Sequence, residues 1–249
     1  MEREALILIA GMGTRLKPLT LQTHKCLTEV NGIPILENAL RILKECGISR
    51  VTLVVGYLQE QIRARIGTDY QGMNLRYVAN NDFNTTSTSY SLYLGLEKLE
   101  QYDQLYVLEG DVFFEKKLLD MLIDMPEGNA TVLEPYNPKL DGSFVELNEE
   151  KYVIDWVHKN SRPGNFVVQT KFKTVNIHKF SHSFVASKLL PALRGSVTSC
   201  KGKESLEDVM MKLVREDQRA IKGLVLDGQK WFEIDDLQDL KIAEELFRK

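Results

Sequence analysis

Residues 6–20 read LILIAGMGTRLKPLT: five apolar residues run into two glycines and an arginine. A short apolar run closed by glycine reads as a buried strand. A buried strand that ends in a bare, cationic loop reads as the carboxyl end of a strand in a parallel sheet. The chain repeats this alternation. EALILIA (4–10) precedes a helical pattern at about 34–46, and RVTLVVG (50–56) precedes LQEQIRARI (58–66). NLRYVA (74–79) precedes a helix from about Ser87 to Leu99, with Leu92, Leu96 and Leu99 on one face. QLYVLEG (104–110) precedes another helix, from about Glu115 to Asp124. Strand–helix alternation of this kind predicts right-handed βαβ crossovers and a mostly parallel, buried sheet.

From about 129 to 180 the pattern changes to short strand candidates separated by turns: NATVLEP (129–135), GSFVEL (142–147) and KTVNIHKF (173–180). Two helices follow, at about 181–194 and 203–216. The strand KWFEI (230–234) and a helix from Asp236 close the sequence. Without an internal repeat, a low-complexity tract or a linker, the expectation is one α/β domain over 1–249. It divides into a core at 1–128, a small β-rich insertion at about 129–180 on one side, and closing helices and strand at 181–249.

Composition excludes several classes. The chain has 249 residues, 43% hydrophobic and 27% charged, with a net charge of −3. That balance gives no electrostatic reason to expect nucleic acid or a membrane surface as partner. Cys26, Cys46 and Cys200 are odd in number, widely spaced and free of any CxxC pattern. They argue against a disulfide framework or structural zinc, and for a reducing compartment. No apolar run approaches the roughly 18 residues that span a bilayer, and the opening Met-Glu-Arg-Glu runs straight into strand. The expectation is a cytoplasmic protein, monomeric or homodimeric.

In an open α/β sheet, ligands sit at the carboxyl ends of the strands. Two such ends stand out: the opening loop, and Gly110-Asp111 after the strand at 104–110. The opening loop lacks the GxxxxGK[ST] of a Walker A motif, and Leu16 stands where the dinucleotide fingerprint needs its third glycine. Gly11-Met12-Gly13-Thr14-Arg15 still has the parts of an anion cradle. Its glycines let backbone N–H groups approach an anion, Arg15 supplies a fork for phosphate oxygens, and Lys25 is a second cation ten residues on. A tight turn with a solvated arginine accounts for the same five residues.

The longer string is more specific. Gly11-x-Gly13-Thr14-Arg15-Leu16-x-Pro18-Leu19-Thr20, then Lys25, then VNGIPILENALRIL (30–43), resembles the opening of the nucleotidyltransferases that make NDP-sugars and CDP-alcohols. VTLVVGYLQEQI (51–62), YSLYLGLEKL (90–99), LYVLEGDVFF (105–114) and KWFEIDDLQDLKIAEEL (230–246) resemble the same family in the same order. KFKTVNIHKFS (171–181) and WFEIDDLQDLKIAE (231–244) are similar to the cytidylyltransferases that act on phosphocholine and on phosphonates such as 2-aminoethylphosphonate. The resemblance covers most of the chain. It implies a Rossmann-like nucleotidyltransferase fold and a Mg²⁺-dependent cytidylyltransferase, joining CTP to a small phosphonate or phosphate monoester with release of pyrophosphate.

The resemblance also implies roles. Asp111 in EGD and Asp235 in EIDD match the two aspartates that hold Mg²⁺, a hard cation suited to carboxylates. Arg15 and the loop amides from Ala10 to Thr14 would take the β- and γ-phosphates, and Lys25 the α-phosphate. Lys173 would steady the acceptor's phosphorus group. Gly56 and Tyr57 would hold the base, with Asn80 or Asn81 near the ribose. Ser87 and Thr88 occupy positions where relatives acting on choline and aminoethyl groups carry an Asn-Asn pair, which bears on the acceptor.

Plainer roles stand beside these. Asp111 can cap a turn, one of Asp235 and Asp236 can cap the last helix, and Ser87 can cap the helix it precedes. Lys171 and Lys173 alternate with apolar residues as the wet face of a strand does. Ile9 replaces a usually small residue, and His24 stands where a proline usually precedes the lysine. Trp156, Tyr136, Tyr152 and Phe172 suit either a cage for a quaternary ammonium or sheet packing. Asp141, Glu146 and Asp155 would suit an amine. Two other functions remain open: a sugar-1-phosphate nucleotidyltransferase using UTP or dTTP, and a non-catalytic nucleotide sensor or scaffold.

Overall fold

Six main strands, four helices and their loops build the half of the molecule that carries the opening loop. The computed structural model describes residues 1–248. β1 (Arg3–Ile9) is apolar on both faces: Ala5, Ile7 and Ile9 enter one core, Leu6 and Leu8 the other. Only a strand covered by helices on both sides can be so, and helices follow each of its neighbours. α1 (Ile35–Glu45) leads to β2 (Arg50–Val55), and α2 (Gln59–Ile66) to β3 (Met73–Ala79). α3 (Thr88–Leu96) leads to β4 (Gln104–Glu109) and the short β5 (Val112–Phe114), and α4 (Lys116–Asp124) to β6 (Ala130–Pro135). The parallel set runs β4–β1–β2–β3, with Leu6 facing both Val107 and Thr52.

Four of the remaining strands complete this sheet instead of forming a second layer. β7 (Phe144–Leu147) and β8 (Val153–Val157) form an antiparallel pair. The ten-residue β9 (Phe172–Ser181) runs antiparallel to β4, β6 and β7. α5 (Leu190–Cys200) continues a helical stretch from His182 through a π segment at Val185–Leu189, and α6 (Leu206–Glu216) follows. β10 (Lys222–Val225) lies parallel to β6, β11 (Trp231–Glu233) pairs antiparallel with β5, and α7 (Leu237–Leu246) ends the chain. With a two-residue edge strand at Asp69–Tyr70, the result is a ten-stranded mixed sheet, parallel at its centre and flanked by helices, while β5 and β11 form a separate two-stranded ribbon. No helix among the described residues is long and apolar enough to cross a membrane.

Two details depart from the sequence expectation. The helix expected to reach Leu99 ends at Leu96, so Leu99 packs against the core from a turn beyond it. α3 also lies unusually close to the sheet: a Cβ on Gly95 would stand 2.5 Å from Leu6 Cδ1. A third apolar cluster, with Leu16, Val30, Ile35, Phe113, Phe232, Ile234 and Ala243, packs α7 and β11 beneath the opening loop. This cluster brings the last strand to the site.

Candidate active site

The loop after β1 turns at Gly13, which is left-handed (φ 57°, ψ 41°). Only glycine fits there, because a Cβ would meet Lys25 Cβ at 2.8 Å as well as pay the positive-φ cost. Gly13 C=O accepts from Leu16 N–H at 3.1 Å and from the Thr20 hydroxyl at 2.8 Å. The N–H groups of Gly11 to Arg15 donate to no acceptor among the described residues. Consecutive unspent amides in a glycine turn make a cradle for an anion.

Tyr57 braces this loop from behind. Its N–H donates to Ala10 C=O at 3.0 Å and its hydroxyl to Thr20 C=O at 3.1 Å. Gly56 is bare because a Cβ would crowd Ala10 O at 2.7 Å and Phe83 Cβ at 2.9 Å. His24 is 2% exposed, and its Nδ1 accepts from Cys26 N–H at 3.1 Å, capping the turn that carries Lys25. Burial lowers the His24 pKa to about 4, so the ring is neutral at pH 7. The Cys26 thiol is fully buried and pushed well up by burial, which makes it a core residue and no nucleophile.

β4 and β11 each end in Glu-x-Asp. Ile234 N–H donates to Asp111 C=O at 2.9 Å, which sets the two stretches side by side. In extended chain, residues two apart share a face, so Glu109 with Asp111 and Glu233 with Asp235 point the same way. Lys25 Nζ joins the aspartates, 2.8 Å from Asp111 Oδ2 and 2.7 Å from Asp235 Oδ1. Arg15 holds the second oxygen of Asp235 at 2.8 Å. Asp236 takes no part in these pairs; it caps α7, accepting from Gln238 and Asp239 N–H groups, while Asp239 accepts from the N–H groups of Asp235 and Asp236.

Lys173 is not a wet-face residue. Its side chain is 1% exposed, and its Nζ donates to Glu233 Oε2 at 2.9 Å and to Thr174 C=O at 2.6 Å. Burial raises the Glu233 pKa, with further push from Asp111 and Asp235 and opposition from Lys173. Burial also raises Glu109 well above the usual carboxylate range, helped by Asp111, Glu207 and Glu233. Asp235 goes the other way: Lys25 and Arg15 outweigh its burial and lower its pKa. For Lys25, burial pulls the pKa down but the two aspartates raise it further, so it is charged.

Asp111, Glu233 and Asp235 each offer one oxygen within 4.8 Å of the others, and Asp111 Oδ1 is buried without a hydrogen-bond partner. Three converging carboxylates, one of which carries an unpartnered oxygen, fit a hard divalent cation such as Mg²⁺.

Two adjoining cavities share Arg15, Ser87, Thr88, Glu109, Asp111 and Asp235. The first, about 380 Å³, is lined by the glycine loop with Ala10, Gly11, Gly13 and Thr14, and by Lys25, Asn80 and Phe83. The second, about 470 Å³, reaches Lys173, Asn176, Glu207 and Glu233. The structure therefore brings together Arg15, Lys25, Asp111, Asp235, Ser87, Thr88 and Lys173.

Four sequence-based roles fare differently. Gly56 and Tyr57 line neither cavity, because their groups are spent on Ala10 and Thr20. Asn81 is exposed and lines neither. Asn80 lines the first, but its amide is committed to Thr86, Ser91 and Asp82. Ser87 makes no side-chain cap; its N–H donates to Gly202 C=O and its hydroxyl is left to the cavities.

The proposed aromatic cage is absent from both cavities. Trp156 is core beside His178, Tyr136 leans on Phe144, and Lys222 sits over Tyr152. Of the three acids considered for an amine, only Asp141 lines a cavity, while Glu146 pairs with Lys171 and Asp155 with Arg215. Glu109, Glu207, Glu233, Asn176 and Phe83 were missed. The repeated Glu-x-Asp was the available signal for two of them.

The chain is similar in sequence and in fold to known proteins. The sequence model of the MobA-like NTP transferase domain matches residues 5–215. The chain is 32% identical over 241 residues to the CMP-5′-(3-aminopropyl)phosphonate synthase of Streptomyces rubellomurinus, covering 96% of this chain and 38% of that protein. It is 27% identical over 248 residues to the choline-phosphate cytidylyltransferase of Streptococcus pneumoniae, covering 98% of each. Among solved structures, the inositol-1-phosphate CTP transferase of T. maritima shares the fold, with a TM-score of 0.76 at 21% identity over 98% of this chain and 95% of that one.

Proposed function

The chain belongs to the MobA-like NTP transferase family, and on that premise we propose that it transfers CMP from CTP to a small phosphonate or phosphorylated alcohol, releasing pyrophosphate. The observation that carries this reading is the convergence of Arg15, Lys25, Asp111 and Asp235 between two adjoining cavities, one floored by the glycine loop and one reached by Lys173. In this reading the nucleotide takes the first cavity and the acceptor the second.

The unspent amides of Gly11 to Arg15 and the Arg15 guanidinium bind the β- and γ-phosphates, which become the leaving group. Lys25 meets the α-phosphate. An acceptor oxygen attacks the α-phosphorus in line, the new P–O bond forms, and the bond to the β-phosphate's bridging oxygen breaks with its electrons leaving on pyrophosphate. A phosphonate or phosphate monoester is already ionised at neutral pH, so the chain needs no general base; neutral His24 and protonation-prone Glu109 are not asked for one. Orientation and charge stabilisation supply the rate. Mg²⁺ held by Asp111 and Asp235, with Glu233 beside them, would offset the charge that builds on the α-phosphate.

The second cavity is lined by Glu207 as well as by Lys173. Glu207 accepts from the Ser143 hydroxyl and pairs with no cation among the described residues, which supports an acceptor with a cationic group at the end remote from its phosphorus. The two sequence relatives are named for an aminopropylphosphonate and a choline phosphate, which supports the same class.

Pyrophosphate release with Mg²⁺ tests the reading, crossing CTP, UTP, dTTP, ATP and GTP with aminoalkylphosphonates of increasing length, phosphocholine and glucose-1-phosphate. Release with CTP and a phosphonate or phosphocholine is expected, and Asp111→Ala should abolish it in a chain that still folds. Release with the sugar phosphate instead, or full turnover by Asp111→Ala, would overturn the reading. Nucleotide binding without release from any pair would point to a sensor.

A further inference from the structure

The two aspartates of the site are not waiting empty-handed. Lys25 bonds one oxygen of each, at 2.8 and 2.7 Å, and Arg15 holds the second oxygen of Asp235. Only Asp111 Oδ1 is left without a partner. At Asp111 Oδ2 and Asp235 Oδ1 a divalent cation and an ammonium group compete for the same lone pairs, and the two positive charges repel one another at this distance. Resting on the reading that Asp111 and Asp235 hold a divalent cation, we propose that Lys25 is the built-in competitor of that cation. Its ammonium neutralises the aspartates of the metal-free enzyme and must leave them for the cation to bind.

The second lysine of the site shows why Lys25 is the one to move. Lys173 also grips a carboxylate, Glu233, but its side chain is 1% exposed and bonded to Thr174 C=O. Its Cε packs where a Cβ on Gly142 would come within 2.4 Å, so the backbone of Gly142 seals it in. Lys25 is 12% exposed and lines the first cavity, alongside the glycine-loop amides. Its backbone is fixed by the His24 cap and its stem packs against Gly13, but its end borders the first cavity and, once nucleotide is present, has phosphates to move toward. Phosphates that draw the ammonium away thereby vacate the carboxylates. Binding of cation and of nucleotide is coupled through one side chain, and the coupling is reciprocal.

The test is Mn²⁺ binding to the full-length chain without nucleotide, followed by electron paramagnetic resonance, in wild type, Lys25→Met and Lys159→Met. Lys159 is a cation of the second cavity that pairs with Asp141 at 3.8 Å and touches neither aspartate, so it reports the through-space field alone. Lys25→Met is expected to bind Mn²⁺ about tenfold tighter or more, and Lys159→Met to stay within about threefold of wild type. Equal affinity in Lys25→Met and wild type, or an equal gain in Lys159→Met, would overturn the proposal while leaving the metal reading intact. Failure of every variant to bind Mn²⁺, with CTP as well as without, would overturn both.

Thermal melting supplies a second readout. Lys25→Met leaves two carboxylates facing each other, so it should melt well below wild type in EDTA and recover in Mn²⁺. A loss of the same size in both buffers would mean that Lys25 is only a structural tie, against the proposal.

Discussion

His178 is 3% exposed, lies against Trp156 and Phe180, and shares a hydrogen bond with Thr131. Burial lowers its pKa from 6.5 to about 4. Between those values the unfolded chain carries a proton that the folded chain refuses, so stability falls as pH falls from 6.5 toward 4. One such group gives a slope of about 1.4 kcal/mol per pH unit in that window. His178→Phe should flatten the dependence of urea-unfolding free energy on pH by about this amount; an unchanged slope would show that the ring titrates normally. Residue identity in the sequence did not reveal this environment, since all four histidines lack ligand spacing and look alike. The carboxylates were more legible. Asp111 and Asp235 stood out through their motifs, but each Glu two positions earlier passed unread, although extended-chain spacing alone puts it on the same face. Lys173 was misleading for a related reason: alternation tells which face a side chain takes, not whether that face is covered.

At the scale of elements, the end of β1 is matched to the end of β4. Ile9 occupies a position where a smaller residue was expected, and the space it takes is the space Gly110 leaves free. A Cβ on Gly110 would lie 2.0 Å from Ile9 Cγ2. Gly110→Ala should therefore destabilise the chain and displace Asp111, whereas Ile9→Ala removes the offending methyl. The double variant should recover part of the loss. A double-mutant cycle in denaturant is expected to give a coupling energy of more than about 1 kcal/mol, and strictly additive losses would contradict the packing account. The helices and parallel strands were readable because each is long, periodic and bounded by turns. β5 and β10 were not, being three and four residues long and held by partners distant in sequence, and β8 is only five residues long. Ser87 sits at the N-cap position as its residue type suggests, yet its hydroxyl does not cap, because Gly202 occupies its backbone N–H and the helix start is packed against the turn before α6.

For the molecule as a whole, the site lies where the parallel half of the sheet meets the antiparallel half, and a ligand there should stiffen both. A ligand that binds only the folded state at a hundred times its dissociation constant adds about 2.7 kcal/mol, which for a chain of this size raises Tm by about 5–10 °C. CTP with Mg²⁺ should produce a shift of this order in wild type and a much smaller one in Asp235→Ala, measured by calorimetry. A full shift in the variant would place the nucleotide elsewhere. The alternation of strands and helices implied the parallel order, but nothing local could say that β9 lies between β4 and β6. That order depends on pairings that span 37 to 77 residues. The same long reach has a consequence for synthesis. Lys25 and Asp111 are 86 positions apart, and Lys25 and Asp235 are 210 apart, so the second carboxylate is made long after the glycine loop it faces. A nascent chain holds its loop and Asp111 before it has the partner that closes the cluster. A strand three residues long, β11, thus completes the site only once it has left the ribosome and paired with β5.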